Sequence, residues 1–329
     1  MLRYIRLSPI LLLLLAGSCK KNNGLDSKDL LVYMQGDFGD ANNAITAELT
    51  LTPIAVWGNT VFQFPVYSTR QMAAAANVTI TPDSSGVAAF NKKTGSSCIL
   101  LPSNTYTIDI TQLTIHTDSM QSGPLTVTIT NPAALTDTNG YVLPLTITKV
   151  TGKDEGVAIS SNRATAYLYI PYAYTNVDTV QTLLSGTIAD RTGWTVTVSN
   201  TTSGSLGPAM LDGSNSTAWR SSNSSTAAKW VVLSLPVAQT VRGLQLTPDY
   251  VSTGDNATRI RVSSSPDSVT WSVQGIWNGT GPASGTNATN PDFKGINFLS
   301  PVQARYFRLD ILKWVSGSRT GIGELNAIQ

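Results

Sequence analysis

Charge is scarce in this chain of 329 residues: charged side chains make up 13%, about half the usual share, and 22 Lys and Arg face 20 Asp and Glu. Lys20-Lys21 and Lys92-Lys93 are isolated basic pairs, and no basic stripe forms. Nucleic acid is thereby excluded as a partner. Histidine occurs once, as His116, and cysteine twice, as Cys19 and Cys98. With no G-x-S-x-G elbow either, the common nucleophile and base arrangements lack material. The scattered acids single out no carboxylate pair for glycoside hydrolysis, so no catalytic residues are assigned and the chain is not read as an enzyme. The apolar run Ile10 to Ala16 is far shorter than the roughly 20 residues that span a bilayer.

Thr, Ser, Asn and Gly fill the polar positions, as in extracellular β-sandwiches. The length favours two domains, each large enough for its own core. Strand patterns run almost throughout. "TYTIDI" alternates Tyr106, Ile108 and Ile110 with polar residues, and "PLTVTITNP" does the same with Leu125, Val127 and Ile129. Pro144 and Pro171 fall in strand patterns and suggest edge positions or bulges. The one stretch with helical composition is "TRQMAAAANV", Thr69 to Val78. Between Pro171 and Gly186 the alternation lapses, which places the boundary there. The domains are therefore expected at 31–172 and 185–329, joined by a linker at 173–184. The fold class is all-β with two β-sandwich domains.

At the start of the chain, Arg3 and Arg6 precede an apolar run ending in "ILLLLLAGSC", the layout of a secretory signal. Ala16, Gly17 and Ser18 before Cys19 resemble the bacterial lipobox. The resemblance implies a signal peptide over 1–18, acylation of Cys19 and a tether over 19–30. Several acyl chains, at about 0.8 kcal/mol per buried methylene, hold a protein stably on a membrane. The expected location is the bacterial outer membrane, on its cell-surface or periplasmic face, with membrane lipid as the partner of Cys19. Cys98 then has no disulfide partner, and beside Ile99, Leu100 and Leu101 it reads as a small core residue. His116 reads as a surface or hydrogen-bonded residue.

In the first half, "ILLPSNTYTI" carries the corner Leu101, Pro102 and Tyr106, and "YVLPLTI" the strand Tyr141, Leu143 and Pro144. With "NVTITPD" and "AYLYI" these resemble an N-terminal, immunoglobulin-like β-sandwich domain of unknown function found in surface lipoproteins of Bacteroidetes. Such a domain commonly precedes a catalytic or binding module. In the second half, "GWTVTVS", "LDGSNSTAW", "KWVVLSL", "VSSSPDSVTW", "ARYFRL" and "IGELNAI" resemble, in order and spacing, the discoidin or coagulation-factor type C domain. That resemblance implies a jelly roll of the galactose-binding-domain type, a fold shared with carbohydrate-binding modules. Ser234 and Ser268 depart from the family pattern at strand ends and turns.

Within "LDGSNSTAW", a turn at Gly213 lets the Asp212 carboxylate, the Thr217 hydroxyl and backbone carbonyls converge, and the resemblance brings Glu324 back beside them. Such an oxygen set suits a structural Ca2+ ion. An Asx turn at Asp212 with Glu324 in a surface pair accounts for the same residues. Trp219 is expected to plug the sandwich, Trp194, Trp230 and Trp271 to join the core, and Trp277 is undecided. Ligand sites in this fold lie on loops at one end of the sandwich. The histidine, aromatic and arginine of galactose-binding relatives are replaced here by Arg220, Asn223 and Asp249. A cluster of Arg220, Asp249, Tyr250, Asn256 and Trp314 is the expected site, although Tyr250 and Trp314 could equally pack on their own loops.

Together these expectations describe a non-catalytic lipoprotein that binds extracellular glycan for polysaccharide capture, with other surface polysaccharide-uptake proteins as candidate partners. The alternatives are an adhesion module for host or matrix protein, or a spacer that docks another protein.

Overall fold

The computed structural model describes residues 29–152, 156–180 and 186–329. The signal segment, Cys19 and the tether as far as residue 28 lie outside the described residues, as do 181–184 of the expected linker and residue 185. The protein is all-β, built as two β-sandwiches with separate hydrophobic cores.

The first sandwich pairs a sheet of five strands with a sheet of six. In spatial order the first contains Ala158–Ile159, Leu31–Met34, Val61–Ser68, Gln121–Ile129 and Tyr106–Ile108. The second runs Ala44–Thr46, Thr165–Ile170, Tyr141–Gly152, Ala76–Pro82 and Gln112–Ile115, with Ile99–Leu100 parallel to Tyr141–Gly152. Alternation does the sorting. Leu125, Val127 and Ile129 all point inward, against Val78, Ile80, Leu143 and Leu168 of the facing sheet. Ile110 does not join them: the strand stops at Ile108, and Ile110 is exposed. Pro144 sits where its strand changes neighbours, from Ile99–Leu100 to Ala76–Pro82. Its carbonyl accepts the Asp83 amide in that gap, so the missing N–H costs no ladder bond.

The helix is not at 69–78. Ala76–Pro82 is a strand laddered to Tyr141–Gly152, and Met72 and Ala76 are both buried. Four alanines favour a helix locally, but a strand pairing on both sides outweighs a propensity of tenths of a kcal/mol per residue. The α-helix is Gly86–Thr94, closed by Gly95 in the left-handed conformation (φ 70°), whose N–H donates to the Asn91 carbonyl. It lays Phe90 against Tyr167 and Tyr169. Cys98 is buried with Phe90 and Val142, as expected of a core thiol, and His116 is exposed.

The expected linker does not stand free where it is described. Tyr174 bridges to Leu51 of the first sandwich, and Val177 bridges to Phe298 of the second. The Asn176 amide donates to Gln274 and to the Ser300 carbonyl, at 2.9 Å each.

Two long strands organise the second sandwich, Trp230–Leu246 and Lys294–Trp314. They pair antiparallel from Trp230 opposite Asp310 to Leu246 opposite Lys294, with register slips between Ser234 and Gln239 and between Val241 and Gly243. Such slips bend strands, and these carry each strand from one layer into the other. The larger layer adds Thr195–Val198, Ala257–Ser265 and Ser272–Asn278, and the smaller adds Leu325–Ile328. The result is a discoidin-type jelly roll. Trp219 and Trp277 are fully buried in its core, and Trp194 is there too. Trp230 and Trp271, expected in the core, are only half-buried. The Trp230 ring lies under the Arg308 guanidinium, and the Trp271 indole N–H donates to the Ser268 carbonyl of its own turn.

Candidate functional site

The pairings Trp314 with Ala257, Arg259 with Asn278 and Trp230 with Asp310 bring four loops to one end of this sandwich. They are 221–229, 247–256, 279–293 and 315–320. Polar contacts knit them together. Ser318 bonds Asn223 across two of the loops, Arg319 pairs with Asp255 at 3.0 Å, and the Ser316 amide donates to the Gly254 carbonyl. The expected ligand residues all gather here, but their roles divide.

Asp249 is 1% exposed. Its carboxylate accepts the Arg220 Nε–H and Nη2–H, the latter at 2.8 Å, and the amides of Val251 and Ser252 at 2.9 and 3.1 Å. That bond with Asp249, opposed by burial, holds the Arg220 guanidinium above its ordinary pKa. Asn256 is also buried: it accepts the Asp249 amide at 2.7 Å and donates to the carbonyls of Asp249 and Thr253. A small-ligand site needs polar groups with bonds left to give. Asp249 and Asn256 hold their bonds with Arg220 and within the 247–256 loop, so their polar groups face the protein. Arg220 is likewise committed, with Nη1 on Ser205 Oγ at 3.1 Å. Tyr250 is half-buried, and its hydroxyl accepts the Asp292 amide, tying the 279–293 loop to its own.

Trp314 is different. Its ring is half-buried on the edge of the core, its indole N–H donates to the Gly317 carbonyl at 3.0 Å, and Lys229 Nζ lies 5.1 Å from the ring centroid. Burial lowers the Lys229 pKa. The ring borders an open cleft of about 600 Å³ lined by Thr258, Arg259, Asn278, Gly279, Lys313 and Trp314. Ligand pockets commonly fall in the range of about 300 to 1,000 Å³. Only glycine fits at Gly279, because a Cβ there would stand 1.9 Å from the buried Trp277 ring. Arg259, Lys313 and Asn278 were missed in the sequence. Arg259 alternates with Ile260 in "TRIRV", which marks it as outward-facing, but no local signal shows which residues stand beside it.

The Asp212 loop has the expected turn. Gly213 takes φ 83° and its N–H donates to Glu324 Oε1 at 3.0 Å. Asp212 accepts the Ser214 amide at 2.8 Å, as an Asx turn does, and both of its oxygens accept the Thr217 hydroxyl. The Asx turn is thus present, while Glu324 is buried rather than part of a surface pair. Arg191 completes the group, donating to Glu324 Oε2 at 2.5 Å, to Asn326 Oδ1 and to the Leu211 carbonyl. Burial pushes the Glu324 carboxyl above its ordinary pKa, with the adjoining Asp212 adding to the rise and Arg191 opposing it. For Asp212 burial is outweighed by the Ser214 amide and the Thr217 hydroxyl, and its pKa is lowered. Among the described residues no three His, Cys, Asp or Glu side chains cluster. The donors here are two abutting carboxylates, the Thr217 hydroxyl and the Ser214 carbonyl. That all-oxygen set fits Ca2+, with carbonyl and water oxygens completing the shell.

Comparison with known proteins agrees with this architecture. Residues 195–325 match the family model described as the F5/8 type C domain, and residues 25–154 match one described as an N-terminal domain. A crystal structure of a two domain protein with unknown function from Bacteroides fragilis shares the fold over both domains. It is 17% identical, covers 92% of this chain and 96% of its own, and has a TM-score of 0.55. A family 32 carbohydrate-binding module of Clostridium perfringens NanJ, in complex with galactose, is 17% identical over 44% of this chain and 98% of its own, with a TM-score of 0.37. Another module of that family from the same organism, in complex with GalNAc-β-1,3-galactose, is 17% identical over 44% of this chain and 100% of its own, also at 0.37. No curated protein matches the chain.

Proposed function

We propose that the F5/8 type C domain carried by residues 195–325 binds extracellular carbohydrate, in a non-catalytic lipoprotein anchored through Cys19 for polysaccharide capture. The observation that carries this reading is the Trp314 ring at the mouth of the cleft. A pyranose offers an apolar C–H face and a rim of hydroxyls, which an aromatic face flanked by a few placed polar groups complements. Arg259, Lys313 and Asn278 supply those groups. The acids of this end do not make a free carboxylate pair: Asp249, Asp255 and Asp292 are bound to Arg220, Arg319 and Lys294. Binding without cleavage is the reading they support.

Trp314→Ala is expected to weaken affinity for a polysaccharide that the wild type retains by at least about tenfold, about 1.4 kcal/mol. Because the ring is only half-buried, its loss should lower the unfolding midpoint far less than truncation of a core tryptophan, which costs about 3 to 5 kcal/mol. Unchanged affinity removes Trp314 from the site.

Membrane attachment rests on the signal that ends in "AGSC". Cys19→Ala is expected to shift the protein from the membrane fraction to the soluble one; retention after that change would refute the lipid anchor. A Ca2+ ion at Asp212, Thr217 and Glu324 is proposed as a structural element that holds the loop, without part in any chemistry.

A further inference from the structure

Two cations in the cleft have no acid to answer them. Arg259 and Lys313 stand opposite each other on adjacent strands, both are exposed, and among the described residues neither forms an ion pair. Their neighbours are neutralised: Arg261 and Arg308 share Asp310, Lys294 has Asp292, Arg319 has Asp255 and Arg220 has Asp249. Like charges directly opposed across strands are destabilising, and an anion lodged between them reverses that term. In a chain with 13% charged residues, such an uncompensated pair beside an aromatic ring stands out.

The cleft also continues. A second groove of about 410 Å³ shares Asn278 with it and runs along the same outer face, past Arg261 and Ile276 to Tyr174 and Thr175 of the segment pinned there by Asn176. The two together suit a chain of several sugar units better than a single terminal sugar.

Resting on the carbohydrate-binding reading above, we propose that the ligand is an acidic polysaccharide, whose carboxylate or sulfate sits between Arg259 and Lys313 while one ring lies against Trp314. Arg offers a planar fork to a carboxylate or sulfate and Lys a point charge, so both anions suit the pair. Neighbouring units of the polymer follow the groove past Asn278.

The test compares full-length protein in detergent with Arg259→Gln/Lys313→Gln and Lys92→Gln/Lys93→Gln, which removes the same charge from the first sandwich. Binding to polygalacturonate, dextran sulfate and a neutral galactan is measured at low and high salt. The expected result is at least about a tenfold loss of acidic-polymer binding in the Arg259/Lys313 variant only, and for the wild type a salt sensitivity that the variant lacks. Preference for polygalacturonate, which carries only carboxylates, or for dextran sulfate, which carries only sulfates, then distinguishes the two anions. The positions are exposed and neutralising Arg259 and Lys313 relieves a like-charge contact, so neither variant should melt appreciably below the wild type. Equal loss in the Lys92/Lys93 variant, or acidic binding unchanged in the Arg259/Lys313 variant, overturns the proposal. Salt-insensitive galactan binding that depends on Trp314, with no binding of either acidic polymer, overturns it too but leaves the carbohydrate reading standing. No binding to any of the three overturns both.

Discussion

Asp249→Ala is expected to lower the unfolding midpoint of the second sandwich by on the order of 10 °C, with no ligand present. The carboxylate is almost wholly buried and its two oxygens accept four hydrogen bonds, two from Arg220 and two from the amides of Val251 and Ser252. Truncation strands all four donors at once. Removing one partner of a buried ion pair costs about 3 to 5 kcal/mol, because the remaining charge keeps its desolvation penalty without its counter-charge. Water reaching the Arg220 side chain, which is 14% exposed, offsets part of that. Asp249→Asn keeps one acceptor oxygen and should recover a fraction of the loss. The measurement is a melting curve of the isolated variants. A midpoint unmoved by Asp249→Ala, together with weakened polysaccharide binding, would return Asp249 to the ligand site.

Calcium is expected to raise the midpoint of the same sandwich by several degrees. An ion that binds only the folded state stabilises it by mass action, about 2.7 kcal/mol at a hundred times its dissociation constant and about 4.1 at a thousand times. Asp212→Ala should abolish the rise. The Glu324 carboxyl fixes the direction of the pH dependence. Burial raises its pKa in the folded protein, so without metal this group binds its proton more tightly there than in the unfolded chain. The stability this contributes is fully present below the ordinary glutamate pKa and is lost as pH rises through the raised value. Calcium requires the ionised form, so its stabilising effect should grow through that same window. Chelated and calcium-loaded melts should therefore diverge as pH rises. Curves indifferent to calcium, chelator and Asp212→Ala alike would leave Arg191 as the cation that serves these carboxylates.

The contrast between two tryptophans shows what sequence pattern can carry. Trp277 and Trp314 stand at or next to the end of a strand that leads into a Gly-containing loop, and nothing local separates them. Trp277 is buried in the core and its indole N–H donates to the Gly295 carbonyl, whereas Trp314 is half-exposed at the cleft. The difference comes from what lies across from each: Gly279 folds over the Trp277 ring, while Trp314 meets open space beside Lys313.

Sequence alone established the all-β class, the two sandwiches, the inward faces of strands such as Leu125 to Ile129, the burial of Cys98 and the turn at Gly213. Each depends on residues near one another in the chain, through a period of two or through a backbone conformation that a single residue permits. Tertiary structure alone decided the rest. It made Ala76–Pro82 a strand, because pairing with Gly152 and Ile115 outweighs alanine's helical preference. It bound Asp249 to Arg220, tied Asn256 into the same loop, and lined an open cleft with Arg259, Lys313 and Asn278. Those three are separated by many residues in the chain and become neighbours only through strand register. Which side chains share the cleft is a property of that register, since a contact made by a distant strand leaves no mark on the local sequence.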